Sequence, residues 1–219
     1  MRTIRVTGKG QLKVHPDMTR ITIELEGTCP EYGEALRRSS EDTEQMKDLL
    51  LPFGFERTDL KTLSFNVETR YESYKEKDVW KQRFIGYQYR HVMKVEFDSD
   101  NLRLGKILYA LAHCSLHPEF RLSYSVKDPE ASKNELLARA VQDAAIKAGV
   151  LSTAAGLKLG EIQNMDYSWG QVNFEVAVMK EHMLMADAGP DCDDGSLNMD
   201  IEPDDIEVQD TVTVIWEIR

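Results

Sequence analysis

The sequence predicts an α+β protein in which antiparallel sheets are covered by helices on one face. Three observations carry that prediction. Several segments alternate apolar and polar residues with a period of two, as half-buried strands do. Between them lie stretches with apolar residues at three- and four-residue steps, the helical period. Finally, the order in which strands and helices follow one another, β-β-α-β-β-α-β-α-β and then C-terminal strands, contains adjacent strand pairs rather than a strict βαβ repeat. The 219 residues, 42% hydrophobic and 30% charged, are enough for a substantial core.

The chain opens with Ile4, Val6, Gly8, Gly10, Leu12 and Val14 on one strand face, and Arg5, Thr7, Lys9, Gln11 and Lys13 on the other. His15-Pro16-Asp17 is a turn, and Ile21, Ile23 and Leu25 alternate along a second strand. The Gly8-Lys9-Gly10 run is too sparse for a phosphate loop; its glycines point to a bulge or a close backbone approach. A helix is expected from Glu31 to Leu51, with Tyr32, Leu36, Met46 and Leu50 on its apolar stripe.

Leu63, Phe65 and Val67 begin a strand that runs into the charged tip Arg70 to Arg83. The return strand places Tyr87, Tyr89, His91, Met93, Val95 and Phe97 on one side, so a long hairpin is predicted. Tyr71, Tyr74 and Trp80 near the tip are candidate interface anchors, because aromatic side chains dominate contact energies. Ser99-Asp100 caps a second helix through Leu102, Leu108 and Leu111, followed by the loop His113-Cys114-Ser115-Leu116-His117. Two histidines and a thiol invite a metal or Cys–His catalytic reading. No second ligand pair and no orienting group accompany them, and a plain turn is expected.

A third helix has both ends written out: Asp128 as N-cap, Pro129 in the first turn and Gly156 after the last. Leu137, Val141, Ala144, Ala148, Leu151 and Ala155 form its expected buried stripe. Its alanines imply close approach to a sheet. Leu157 to Ile162 then leaves as a strand, and Val172, Phe174, Val176 and Val178 suggest another. Met179, Met183 and Met185 follow as further candidate interface residues. Residues 187–205 form an acidic loop whose spacing fails the EF-hand pattern. The last strand carries Ile206, Val208, Val212, Val214, Trp216 and Ile218 on one face, for burial in a sheet formed elsewhere.

The net charge of -11 argues against nucleic acid and anionic membrane partners. No apolar run is long enough to span a bilayer. The first residues read as a strand rather than an apolar leader, so a cytoplasmic location is expected. Three widely spaced cysteines, Cys29, Cys114 and Cys192, do not suggest a disulfide framework.

Several phrases resemble the SIMPL domain family: VTGKGQLKVHPD (6–17), FIGYQYRHVMKVEF (84–97), YSVKDPEASKNELLARAVQDAAIKAG (124–149), AAGLKLGEI (154–162) and the closing IEPDDIEVQDTVTVIWEI. The family includes bacterial periplasmic immunogenic and oxidative-stress-defence proteins, and the resemblance implies homo-oligomers, in some cases rings or channels. It carries no catalytic residues over. The expectation is therefore one SIMPL-type unit, 1–219, without catalytic site or cofactor, acting as an oligomeric scaffold or partner-binding module. The competing class is a hydrolase or redox enzyme using His113, Cys114 and His117. Two intimate subdomains are expected, one of 1–83 plus 166–219, the other a ferredoxin-like βαβαβ plait over 84–165.

Overall fold

A computed structural model describes residues 2–167, 172, 174–177 and 201–219. Its elements run β1 (Thr3–Val14), β2 (Met18–Cys29), α1 (Tyr32–Leu50), a 3-10 turn (Leu51–Phe53), β3 (Lys61–Glu76), β4 (Val79–Asp98), α2 (Asn101–His113), β5 (Glu119–Ser125), α3 (Pro129–Ala154), β6 (Leu159–Asp166), β7 (Glu175–Ala177) and β8 (Ile206–Ile218). They form a three-stranded sheet in the order β1-β8-β6 and a five-stranded one in the order β3-β4-β2-β5-β7. The α+β class stands. The chain divides into two compact units, the first drawing on residues up to Asp17, Tyr124–Val176 and Pro203–Arg219, the second built on Met18–Ser123.

In the first unit, β8 pairs antiparallel with β1 along its whole length, from Thr3 opposite Glu217 to Val14 opposite Ile206. The two ends of the chain thus share one sheet, which is where the apolar face of β8 goes. Helix α3 lies on that sheet through Ala140, Ala144 and Ala148, packed with Val6, Val212, Val214 and Trp216. A second cluster joins Leu12, Leu136, Phe174, Ile206 and Val208. Gly8 and Gly10 are the reason the helix sits so low. A Cβ at position 8 would lie 2.0 Å from the Ala140 carbonyl oxygen, and one at position 10 would lie 2.1 Å from that of Leu136. Both distances are inside any real contact, so only glycine admits the helix backbone.

The buried face of α3 is Leu136, Ala140, Ala144, Ala148 and Ser152. This corrects the expected stripe: Ala144 and Ala148 are on it, Leu137 and Val141 flank it, and Leu151 is 52% exposed. The helix turns its smallest residues to the sheet because the glycine notch leaves room for little else. Its ends are as read: the Asp128 carboxylate accepts from the Ala131 amide at 2.9 Å, and Gly156 takes φ +70°.

In the second unit, β2 pairs along its whole length with the Tyr87–Asp98 part of β4, Met18 opposite Asp98 and Cys29 opposite Tyr87. Their inner faces, Ile21, Ile23 and Leu25 with Tyr89, Met93, Val95 and Phe97, are buried, and α1 contributes Ala35, Met46 and Leu50 to the core. Here too the expected helix face is off: Tyr32 and Leu36 are exposed, while Ser39 and Asp42 are buried because β4 supplies partners for that face. On α2 the Asp100 carboxylate accepts from the Leu102 and Arg103 amides, as expected, but Leu102 itself is exposed and Leu104 and Ile107 are buried instead.

The expected single plait over 84–165 is divided. β4 and β5 belong to the five-stranded sheet, whereas β6 pairs with β8 in the other. β8, whose apolar face the alternation shows but whose neighbours it does not, is the strand that takes β6.

Candidate interaction surface

The hairpin β3–β4 is longer than the sheet it belongs to. β4 pairs with β2 only from Tyr87 onward, so Arg70–Glu76 and Val79–Ile85 pair with each other and with no third strand among the described residues. Every residue from 68 to 85 is exposed. This ribbon turns at Lys77 and Asp78, whose φ values of 48° and 63° are the left-handed pair of a type I′ hairpin turn. An isolated two-stranded ribbon is marginal in water, and cross-strand contacts hold this one. Lys81 meets Glu76 at 2.6 Å, Arg83 meets Glu72 at 2.7 Å, and Lys75 meets Asp78 at 2.7 Å. Such exposed pairs contribute little each, about 0–1 kcal/mol. An aromatic string adds to them: Tyr71 to Phe84 at 5.7 Å, Phe84 to Tyr87 at 5.4 Å and Tyr87 to Tyr32 at 5.5 Å, all edge-on.

Of the six candidate interface residues, Tyr71, Tyr74 and Trp80 lie on this ribbon, Tyr71 and Trp80 on one face and Tyr74 on the other, with Trp80 the most exposed at 72%. Leu63, Phe65, Val79, Phe84 and Ile85 are exposed apolar neighbours that were not among the expected interface residues. Met179, Met183 and Met185 lie outside the described residues, as does the acidic loop up to residue 200.

The His113-Cys114-His117 loop is tied to backbone. His113 stacks on Tyr109 at 4.1 Å and its Nδ1 lies 2.8 Å from the Tyr109 carbonyl. The Cys114 thiol donates to the Leu111 carbonyl at 3.2 Å, and the His117 amide donates to the Cys114 carbonyl at 3.3 Å, with His117 at φ 45°. These contacts close the end of α2. Among the described residues, no group of three or more His, Cys, Asp or Glu side chains could hold a metal ion.

Two buried polar networks in the second unit were not visible from sequence. The Tyr89 hydroxyl donates to the Asp42 carboxylate, with Arg38 3.7 Å from the same oxygen. Burial first, and that anionic partner second, push the Tyr89 hydroxyl's pKa well up. His91 sits between two threonines, its Nδ1 3.0 Å from Thr43 Oγ1 and its Nε2 2.9 Å from Thr62 Oγ1. The Thr43 hydroxyl donates its one hydrogen to the Ser39 carbonyl at 2.7 Å. Nδ1 of His91 must then be the donor to Thr43, and Nε2 of the neutral ring accepts from Thr62. Burial, with the nearby Lys47 charge adding to it, lowers the His91 pKa. Alternating i and i+2 residues in β4 hinted that His91 faces inward; its partners come from α1 and β3 and carry no local signature.

The opposite face of the same sheet is a charged lattice. Arg90 forks onto both Glu24 oxygens, Gln88 donates to Glu26 at 2.9 Å, and Glu96 accepts from Arg20 and Lys94. Burial alone would raise the Glu96 carboxyl; its two cations hold it below the usual range. A shallow acidic groove runs there between Glu24, Glu26, Glu68 and Glu119.

Fold and surface together define a two-unit α+β protein whose prominent chemical feature is an exposed aromatic ribbon rather than a lined pocket. The chain belongs to the SIMPL family, described as "Protein of unknown function (DUF541)", which it matches over residues 4–216. It is similar to the 26 kDa periplasmic immunogenic protein of Brucella melitensis biotype 1, 29% identical over 160 residues. It is also similar to the protein of the same name from Brucella abortus (strain S19), at 28%. Each alignment covers 73% of this chain and spans 64% of the relative's length. These names overturn the cytoplasmic expectation, since both relatives are named as periplasmic. The physical reason is plain: an alternating strand near the start of a sequence reads the same in either compartment. No helix among the described residues is long and apolar enough to cross a membrane.

Proposed function

We propose that this protein is a homo-oligomeric assembly module of the periplasm, without a catalytic site of its own, that associates through the β3–β4 ribbon. One observation carries the reading: from residue 68 to residue 85 the chain spends a paired, turn-closed ribbon on exposure, with Trp80, Tyr71, Tyr74 and Phe84 unburied upon it. Contiguous exposed apolar side chains of this kind mark contact surfaces. The periplasmic setting is taken from the relatives' names. Met179, Met183 and Met185 remain proposed as additional anchors.

The ribbon also lacks the strong negative charge of the chain as a whole. Arg70, Lys75, Lys77, Lys81 and Arg83 stand against Glu68, Glu72, Glu76 and Asp78, so its charge is nearly balanced, whereas the whole chain carries -11. Two ribbons can therefore approach without the net repulsion that acidic surfaces of two copies would meet. The finer fold assignment is proposed alongside: the order β2-α1-β3-β4-α2-β5, with strands arranged β3-β4-β2-β5, supports a ferredoxin-like plait in the second unit.

Sedimentation velocity tests the function. The parent chain is expected to sediment as an oligomer and Trp80→Ser to shift toward monomer with its unfolding midpoint unchanged. A parent that stays monomeric at all accessible concentrations would sink the proposal.

A further inference from the structure

The strand β3 ends the five-stranded sheet, and its outer row of backbone groups has no strand partner among the described residues. Long free edges are templates for pairing, and proteins usually blunt them with bulges or charge. The bulges of this hairpin fall elsewhere. The register shift between Thr62 and Ser64 leaves Leu63 as the extra residue on β3. The shift between Arg70 and Tyr71, which face Gly86 and Phe84, leaves Ile85 as the extra residue on β4. From Ser64 to Glu76, β3 is therefore a regular strand with a continuous outer edge.

The charges on that edge are arranged about a centre. We infer that β3 pairs antiparallel with β3 of a second copy across a two-fold axis at Thr69, joining the two five-stranded sheets edge to edge. This rests on the self-association proposed above and specifies its contact. In an antiparallel pair with the axis at Thr69, Glu68 of each copy stands opposite Arg70 of the other, twice by symmetry. Val67 then faces Tyr71, Asn66 faces Glu72, and Phe65 faces Ser73. Opposed pairs on one sheet face lie close enough for ion pairing and aromatic contact. Shifting the axis to Glu68 or to Arg70 sets Glu68 against Glu68, or Arg70 against Arg70 and Glu68 against Glu72. The intermediate registers leave Glu68, Arg70 and Glu72 each opposite an uncharged residue. Within Ser64–Tyr74, only the Thr69 axis and the Tyr71 axis, which sets Arg70 against Glu72, convert the edge charges from obstacles into partners; the Thr69 axis also sets Val67 against Tyr71, where the Tyr71 axis sets Val67 against Lys75.

The cost inside each copy is small. Glu68 exchanges a hydrogen bond from Asn66, and Arg70 one to Gln88, both on the exposed face. The hairpin tip then projects along the partner's strand, with Tyr74 opposite Ser64 and Trp80 on β4, one strand behind the contact.

The test is a charge exchange combined with a cross-link. Glu68→Arg and Arg70→Glu are each expected to raise the dissociation constant of self-association by about tenfold or more, because each variant places like charges opposite twice. The double variant restores the opposite pairs and is expected to return within about threefold of the parent. In a Cys114→Ser, Cys192→Ser background, Thr69→Cys is expected to oxidise to a covalent dimer through position 69, while Ser73→Cys does not. An oligomeric parent with unaffected single variants, an additive double variant, or a cross-link at Ser73→Cys overturns this register. In each of those cases Trp80→Ser still reports on the ribbon. A parent that is monomeric throughout overturns both readings and assigns the edge to a different partner.

Discussion

Gly8 on β1 lies so close under Ala140 on α3 that an added methyl group would sit 2.0 Å from the Ala140 carbonyl oxygen and 2.4 Å from the Ala144 amide nitrogen. Both are backbone atoms of a helix and neither can move alone. Gly8→Ala is therefore expected to destabilise by about 1–3 kcal/mol or more, as overpacking does. Gly149, on the same helix, is the counterpart: a Cβ there meets nothing within 4 Å. Gly149→Ala is expected to stabilise by about 1 kcal/mol through helix propensity. Urea midpoints of the two variants should move in opposite directions. Movement the same way would break the argument that the notch sets the helix height.

The same contact fixes which side of α3 matters. Leu136 is buried and Leu151 is half exposed. Leu136→Ala is expected to cost about 2–5 kcal/mol, and Leu151→Ala within about 0.5 kcal/mol of nothing. Equal denaturant midpoints would return the buried face to the Leu137–Leu151 stripe.

That stripe shows where sequence reading stops. Strand faces were legible because a period of two has only two solutions, and the alternation of Val6, Gly8, Gly10 and Leu12 chose between them. A helix offers many faces, and weighing it by bulk favoured Leu137 and Leu151 over Ala140 and Ser152. The deciding fact is the absence of side chains at Gly8 and Gly10, some 130 residues away in sequence. The exposure of the ribbon was legible in part for a related reason. Tyr71, Tyr74 and Trp80 sit in a charged run with no alternating partner face, so their exposure could be read locally. The free edge of β3 could not, because edge position depends on the order of the whole sheet.

Tyr89 and Asp42 form a buried pair that removal of one member should expose as coupled. Tyr89→Phe keeps the ring that packs against Gly27 but leaves the Asp42 carboxylate without its hydroxyl donor. The expected cost is about 1–3 kcal/mol, the penalty of an unsatisfied buried acceptor. A double-mutant cycle with Asp42→Ala should return a coupling of about 1 kcal/mol or more. Additive effects would show that the two side chains are merely adjacent.

His91 predicts how stability responds to acid. Folding lowers its pKa, by burial first and by the Lys47 charge second. The unfolded chain, titrating near 6.5, therefore binds a proton more readily than the folded one. Between that value and the lower folded pKa the unfolded state holds more protons, so stability rises with pH there and is fully present above it. Stability is expected to fall as the pH drops below about 6.5, with a slope of at most about 1.4 kcal/mol per pH unit from this group. The nearby Lys47 charge opposes the imidazolium. Thr43 and Thr62 can still accept from a doubly protonated ring, so the loss is electrostatic and the fold persists. Glu96, whose pKa folding also lowers, adds its own loss only below about 4.5, outside this window. Urea midpoints measured from pH 8 to pH 5 for the parent and for His91→Gln separate the terms. The parent curve should bend downward below about 6.5 while the variant, less stable at pH 8 by its lost hydrogen-bond geometry, stays flatter. Parallel curves would show that His91 is already free to ionise in the folded protein, and the Thr43–His91–Thr62 chain would then be open to water.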